Sequence, residues 1–229
     1  MKYIKLFMGS VPALAGILLV VLTVVNLILV QDNFLNYTNE KYSVHKTLSM
    51  SEDDLEKVVH SMITYVKGKS DSPQIAVEIR GEETDFFNKK EIGHLEDVRA
   101  LVKNIYVTML VLFIISAVGE IILFVRKEWN IIWKGVLIAW GVLLVLTACI
   151  GITALVDIDR VITGFHQMFL SDSKWVLNPA KDRSVWMFRT NMYADVIATL
   201  GIIVALVAVG TIGGTRLLTR GKMKHEIKL

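Results

Sequence analysis

The chain has 229 residues, of which 53% are hydrophobic and 21% are charged, and its mean hydropathy is +0.51. Four long apolar runs hold much of the hydrophobic content and contain a single charged residue, Glu120. This distribution excludes a soluble enzyme, a nucleic-acid-binding module and a disordered tail. It predicts a multi-pass membrane protein.

The apolar runs have the length and composition of membrane-spanning helices. They are Ala13–Val30, Ile105–Val125, Gly135–Val156 and Val196–Gly214. About 20 apolar residues cross the hydrocarbon core, and a backbone in lipid must satisfy its own hydrogen bonds. We therefore expect an all-α transmembrane fold: a four-helix membrane bundle with a small α+β extracytoplasmic cap. Lys2 and Lys5 precede the first run, and no small-residue cleavage site follows it, which predicts an uncleaved signal anchor.

Positive charge is concentrated in three segments that share one side of the membrane if every run spans it. Met1–Phe7, Arg126–Lys134 and Thr215–Leu229 together carry ten Lys or Arg and two acidic residues. The long segment Gln31–Arg99 carries nine basic and fourteen acidic residues. The positive-inside rule then places both termini in the cytoplasm and two loops outside.

The runs and the charge pattern divide the chain into five parts. These are a cytoplasmic N-terminus with the first span (1–30), an extracytoplasmic cap (31–99), the second and third spans with a short cytoplasmic loop (100–156), a second outer loop at the interface (157–195), and the fourth span with a basic cytoplasmic tail (196–229).

Two capping signals predict helices in the cap. Ser51-x-x-Asp precedes apolar residues at helical spacing from Leu55 to Val66. Asn88-x-x-Glu91 begins a second helix, which is predicted to continue into the second span.

One segment of the cap has the pattern of a strand. Gln74–Arg80 alternates polar and apolar residues, as a half-buried strand does. Tyr37–Leu48 is a candidate for its partner strand. These strands and the two helices together predict the α+β cap.

The second outer loop is unusually apolar. Ile158, Val161, Ile162, Phe165 and Phe169 continue a helical apolar face beyond the third span. Such a helix is expected to lie at the membrane interface rather than to project into water.

Two histidines are better placed for chemistry than any other side chains. His94 lies two to three helical turns before the second span, and His166 lies about two and a half turns beyond the third. The topology puts both imidazoles on the outer face at similar depth. Since the free pKa of histidine is about 6.5, such a pair can accept and donate protons near neutral pH. The residues alone leave two interpretations open, interfacial anchors or a functional pair.

Two short motifs around these histidines resemble those of the lipoprotein intramolecular transacylase family. They are Glu91-Ile-Gly-His94-Leu-Glu-Asp97-Val before the second span, and Phe165-His166-Gln-Met-Phe169 followed by Trp175, Asn178-Pro179 and Asp182. The order of features also matches, with four spans, a long first outer loop and a shorter second one. The resemblance implies an acyltransferase in the bacterial cell membrane with its active site at the extracytoplasmic face. Its substrate would be a diacylglyceryl-modified lipoprotein held among membrane lipids.

The implied reaction moves an acyl chain from the glycerol sn-2 oxygen to the free amine of the N-terminal cysteine, which gives a lyso-form lipoprotein. The resemblance implies His94 and His166 as a joint acid/base pair, with no cofactor and no metal. Residues expected to bind substrate are Tyr106, Phe165, Phe169, Trp175, Trp186, Asp97 and Arg160. Arg160 and Arg183 are candidates for polarising the ester carbonyl.

A non-enzymatic alternative remains, in which the protein is a membrane sensor or scaffold whose cap binds a ligand. Such a protein should tolerate the loss of both histidines, whereas the transacylase should not. No nucleic-acid partner is expected under either hypothesis. The sequence leaves the oligomeric state open, and a monomer is compatible with it.

Overall fold

The computed structural model of the chain describes residues 2–170, 173–188 and 190–226. In chain order its elements are α1 (Lys2–Leu29), α2 (Asp32–Lys41), α3 (Val44–Leu48), α4 (Glu52–Val66), β1 (Ala76–Ile79), β2 (Glu82–Asp85), α5 (Lys89–Val125), α6 (Trp129–Val156), α7 (Ile158–Phe169) and α8 (Thr190–Glu226). Two 3₁₀ turns, Ser173–Trp175 and Ser184–Met187, lie between α7 and α8. Residues 1–24, 107–161 and 199–229 form one compact unit, and residues 25–106 and 162–198 form another.

Four of the described helices are long and apolar enough to cross a membrane. The stretches are Tyr3–Leu29, Lys89–Val125, Trp129–Val156 and Asp195–Lys222. Each overlaps one apolar run, which confirms that all four predicted runs lie in helices long enough to span a membrane. The bundle arrangement and the five-part division stay predictions.

Small residues let α1 and α6 approach closely within the first unit. Gly9 lies against Gly135, and a Cβ added to Gly135 would lie 2.5 Å from the carbonyl carbon of Gly9. A buried cluster continues from this contact, formed by Ala13, Ile17, Val136, Ala139 and Trp140. The indole N–H of Trp140 donates a hydrogen bond of 2.9 Å to Oγ1 of Thr211, which joins α6 to α8.

The core of the second unit forms around α4. The Oγ of Ser51 accepts the backbone N–H of Asp54 at 3.0 Å, which confirms the predicted N-cap. The apolar face of α4 is buried, namely Leu55, Val58, Val59, Met62, Ile63 and Val66. Helix α2 lies against α4, and its Leu35 is 1% exposed.

The strand pairing differs from the sequence prediction. Strand β1 pairs antiparallel with β2, which is joined to it by a two-residue turn, Arg80–Gly81. Both turn residues have positive φ, +56° and +84°, as this tight hairpin requires. The prediction of a partner strand at Tyr37–Leu48 is wrong, because this segment belongs to α2 and α3. The buried residues of α2 are Leu35, Thr38 and Asn39. Their spacing places them on one face of a helix and does not match the alternation of a strand.

The helices that carry the two histidines follow the predicted course. Helix α5 is continuous over 37 residues, so the capped helix does run into the second span. Helix α7 follows α6 after a break at Asp157, where the backbone is extended. It leaves Phe165, Met168 and Phe169 exposed. Its location at a membrane interface stays a prediction.

Candidate active site

His94 is held on the second turn of α5 by a well-capped helix start. The Oδ1 of Asn88 accepts the backbone N–H groups of Lys90 and Glu91, at 2.9 and 3.1 Å. The carboxylate of Glu91 in turn accepts the backbone N–H of Asn88 at 2.8 Å. These reciprocal bonds form a capping box, which fixes the first turn of α5 and hence the starting direction of His94.

His166 lies in the last turn of α7 with one ring nitrogen already engaged. Its Nδ1 is 2.7 Å from the carbonyl oxygen of Ile162. Since a carbonyl oxygen can only accept, Nδ1 carries the proton in this bond. In the neutral ring Nε2 is therefore the nitrogen that carries the lone pair.

The structure brings the two imidazoles together from separate parts of the chain. The ring centroids of His94 and His166 are 6.0 Å apart, and the rings are tilted by 32°. Trp175 stacks on His166, with centroids 4.6 Å apart and planes within 25° of parallel. Phe165 packs edge-on against the His166 ring and also contacts Phe169. The predicted histidine pair thus exists as a neighbouring pair with an aromatic wall.

A carboxylate with one unpartnered oxygen, that of Asp97, lies one helical turn beyond His94. Asp97 has its Oδ1 3.9 Å from the ammonium of Lys174. Its Oδ2 is buried, as is the Nδ1 of His94, and neither atom has a hydrogen-bond partner among the described residues. Gly93 permits this close packing, because a Cβ there would lie 3.0 Å from Cδ of Lys174. The site therefore holds two buried polar atoms without a hydrogen-bond partner among the described residues, Nδ1 of His94 and Oδ2 of Asp97, on residues three positions apart in α5.

A buried polar network that sequence reasoning does not reveal joins the start of α5 to Asp182 and Ser184. Both the backbone N–H and the hydroxyl of Ser184 donate to Glu91, at 2.6 and 2.7 Å. The side-chain amide of Asn88 donates to Asp182 at 2.8 Å. The capping signal at Asn88 and Glu91 was visible, but nothing in the sequence indicated partners more than 90 positions away.

Asp182 is an ionised member of this network. Its burial favours the neutral acid, but the backbone N–H of Asn178 and the amide of Asn88 donate to its oxygens and keep its pKa below the ordinary value. A carboxylate at this position is therefore present throughout the neutral range.

Three other residues that were expected to bind substrate, Tyr106, Trp186 and Arg160, have the following surroundings in the structure. Tyr106 is exposed on α5. The indole N–H of Trp186 donates to the carbonyl of Pro179 at 3.1 Å. Arg160 forms an ion pair with Asp157 at the start of α7.

The guanidinium of Arg183 is also engaged, because it donates to the carbonyl of Asp85 at 2.7 Å. Within residues 2–170, 173–188 and 190–226, no cluster of three or more His, Cys, Asp or Glu side chains could hold a metal ion.

A family model described as lipoprotein intramolecular transacylase Lit matches residues 11–193. The chain belongs to the Lit family. No curated protein gives a significant match.

Solved structures of a Lit protein share the fold. The membrane-integral Lit of Bacillus cereus is 15% identical, covers 100% of both chains and has a TM-score of 0.73. A variant of that Lit, with one histidine replaced by alanine, has a TM-score of 0.69 at 15% identity, covering 100% of this chain and 96% of the other. These matches confirm the resemblance found in the motifs and support a multi-pass membrane protein with the Lit fold.

Proposed function

We propose that this Lit-family protein is an intramolecular O-to-N transacylase of the bacterial cell membrane. It moves an acyl chain from the glycerol sn-2 oxygen of a diacylglyceryl-modified lipoprotein to the amine of its N-terminal cysteine. Both termini face the cytoplasm, and the site faces the outer leaflet. The observation that supports this most is the His94–His166 pair, whose centroids are 6.0 Å apart beside an aromatic wall.

The reaction needs protons to leave the amine and to reach the leaving oxygen, transfers that two imidazoles can perform. An α-amine has a pKa near 8, so the ammonium first loses one proton to the pair, which releases it to solvent. The neutral nitrogen then attacks the ester carbonyl, forming the C–N bond, and gives its second proton to the pair. As the C–O bond breaks, the glycerol alkoxide takes up that proton, and the products are an amide, a free hydroxyl and the one proton released to solvent. Each transfer is worth roughly 10²–10⁴-fold in rate.

The aromatic side chains supply orientation. Amine and ester belong to one flexible substrate, so much of the barrier is the loss of freedom on bringing them together. Trp175 is stacked on His166, and Phe165 and Phe169 extend the apolar surface beside it. We propose that this wall holds the acyl chains and glycerol so that the carbonyl meets the amine.

Asp97 is the proposed partner of the substrate ammonium. Its buried Oδ2 has no hydrogen-bond partner in the described chain, and His94, three residues earlier on α5, has an unpartnered Nδ1. The proposal is supported by the ammonium of Lys174, which lies 3.9 Å from Oδ1 of the same carboxylate. An ammonium bound here would be next to the group that deprotonates it.

The test of Asp97 uses a matched pair of substitutions. Because a charge-assisted hydrogen bond is worth about 1.5–3 kcal/mol, Asp97→Asn should lower kcat/KM roughly 10- to 100-fold. Asp71→Asn removes an exposed carboxylate elsewhere in the same unit and should change nothing. Wild-type kcat/KM in Asp97→Asn would refute the ammonium site.

The transacylase proposal itself is tested in a bacterium whose lipoproteins keep a free N-terminal amine. Wild-type protein should place an acyl chain on that amine, whereas His94→Ala and His166→Ala should not, although both proteins insert into the membrane. His60→Ala is the control, since His60 is exposed and bonds to Asp32. The sensor alternative predicts that none of the four proteins changes the lipoproteins.

A further inference from the structure

Glu91 is a buried carboxylate that the proposed chemistry does not use. It is 1% exposed. Its Oε1 accepts both the backbone N–H and the hydroxyl of Ser184, and its Oε2 accepts the backbone N–H of Asn88. A helix cap by itself needs only the bond to Asn88. The two bonds to Ser184 join the start of α5 to a segment 93 residues later.

A second bridge runs parallel to the first. The amide of Asn88 donates to Oδ1 of Asp182, while the other oxygen of Asp182 accepts the backbone N–H of Asn178 at 2.5 Å. A third contact joins the ammonium of Lys90 to the carbonyl of Val176. The first turn of α5 is therefore attached to the 173–188 segment at several points.

The attached segment also contacts His166. Trp175 lies one residue before Val176 and stacks on the His166 ring. His94 lies three residues after Glu91, within the next turn of the same helix. A chain of contacts thus leads from His94 through the first turn of α5, Glu91 and the 173–188 segment to the ring of His166.

We infer that Glu91 is a positioning residue that sets the distance between His94 and His166 by fixing the 173–188 segment on the first turn of α5. This inference rests on the proposed function for its kinetic consequence. Apolar side chains could fill the same volume, but they would not fix the segment in one register as directed hydrogen bonds do. Displacing reacting groups by about 1 Å can cost 10²-fold in rate.

The experiment uses Glu91→Gln, which keeps the size of the side chain. One carbonyl oxygen remains, but the new amide group donates and must face either the backbone N–H and hydroxyl of Ser184 or the backbone N–H of Asn88. Glu96→Gln is the matched control, because Glu96 is an exposed glutamate on the same helix. The full-length proteins are purified in detergent and given a diacylglyceryl lipopeptide with a free amine.

Two measurements, kcat and amide hydrogen exchange, are compared between the variants. The amount of folded protein in each sample is determined by thermal unfolding. We expect Glu91→Gln to lower kcat roughly 10- to 100-fold with little change in KM, since the aromatic and Asp97 contacts to substrate are retained. We also expect faster amide hydrogen exchange over residues 173–188 and none of these changes in Glu96→Gln. Should Glu91→Gln not fold, Ser184→Ala removes one of the three bonds and should show both effects to a smaller extent.

The outcomes separate this inference from the proposed function. Faster exchange with unchanged kcat would show that Glu91 is only structural and would overturn the positioning role. Unchanged exchange would overturn the bridge itself. Failure of the wild-type protein to make any N-acyl product would instead contradict the transacylase proposal, and the exchange comparison would still decide whether Glu91 holds the segment.

Discussion

The double substitution His94→Ala/His166→Ala gives a quantitative test of whether the two imidazoles act as one unit. Their ring centroids are 6.0 Å apart, so a single substrate amine and a single alkoxide can lie within reach of both. General acid–base catalysis is worth roughly 10²–10⁴-fold, which is about 2.7–5.4 kcal/mol of activation free energy. Each single substitution should cost an amount in this range.

The double variant distinguishes shared action from separate action. If the histidines acted independently, the two rate losses would multiply to between roughly 10⁴- and 10⁸-fold. Residues that act as a unit are strongly non-additive, so we expect the double variant to lose little more than the slower single variant. The coupling energy would then be at least about 2.7 kcal/mol, the smaller single effect.

The assay is a single-turnover time course of N-acyl lipopeptide formation by the four proteins of the cycle. Thermal unfolding checks that each variant is folded, and His60→Ala controls for the loss of a histidine outside the site. Rate losses that multiply within threefold would refute the joint role. Full activity in either single variant would remove that histidine from the mechanism.

Three further predictions follow from individual contacts. Gly135→Ala should lower the free energy of unfolding by about 1–3 kcal/mol, seen as a lower Tm, because its Cβ meets the backbone of Gly9; Gly141→Ala, with open space around it, should not. Trp175→Ala should lower kcat up to about tenfold, since the stack on His166 is worth roughly 0.5–1.5 kcal/mol, whereas Trp175→Phe should retain most activity. Because the pKa of Asp182 is lowered on folding, its stabilising effect is present above the unfolded pKa and is lost as pH falls through the folded one. Acid melts of wild type should therefore lose Tm below about pH 4, and Asp182→Asn should reduce that loss.

Sequence patterns sufficed where a structure depends on local chemistry. The apolar runs predicted the four spans because length and hydropathy alone determine which helices can cross a membrane. The capping signals at Ser51 and Asn88 predicted two helix starts because an N-cap involves residues three positions apart. The predicted topology puts His94 and His166 on one side of the membrane, and in the structure their rings are neighbours.

Long-range polar pairing was beyond sequence reasoning. Glu91 looked like one half of a capping box, and nothing local indicated that Ser184 would donate to it twice. The wrong prediction of a partner strand at Tyr37–Leu48 has a similar origin, because the alternation in Gln74–Arg80 indicates a strand but not the segment that pairs with it. The tight turn at Arg80–Gly81 reverses the chain, so the next four residues form the partner strand.

The most direct test of the central claim is the position of the acyl chain in a substrate lipopeptide treated with the wild-type protein. Intramolecular transfer leaves the mass unchanged, so the position must be determined from tandem mass-spectrometric fragment ions. We predict fragments with one acyl chain on the N-terminal amine and one remaining on the S-glyceryl group, together with loss of reactivity toward amine reagents. A lipopeptide that keeps both chains on the glycerol and a reactive amine, in the presence of folded protein, would contradict the account.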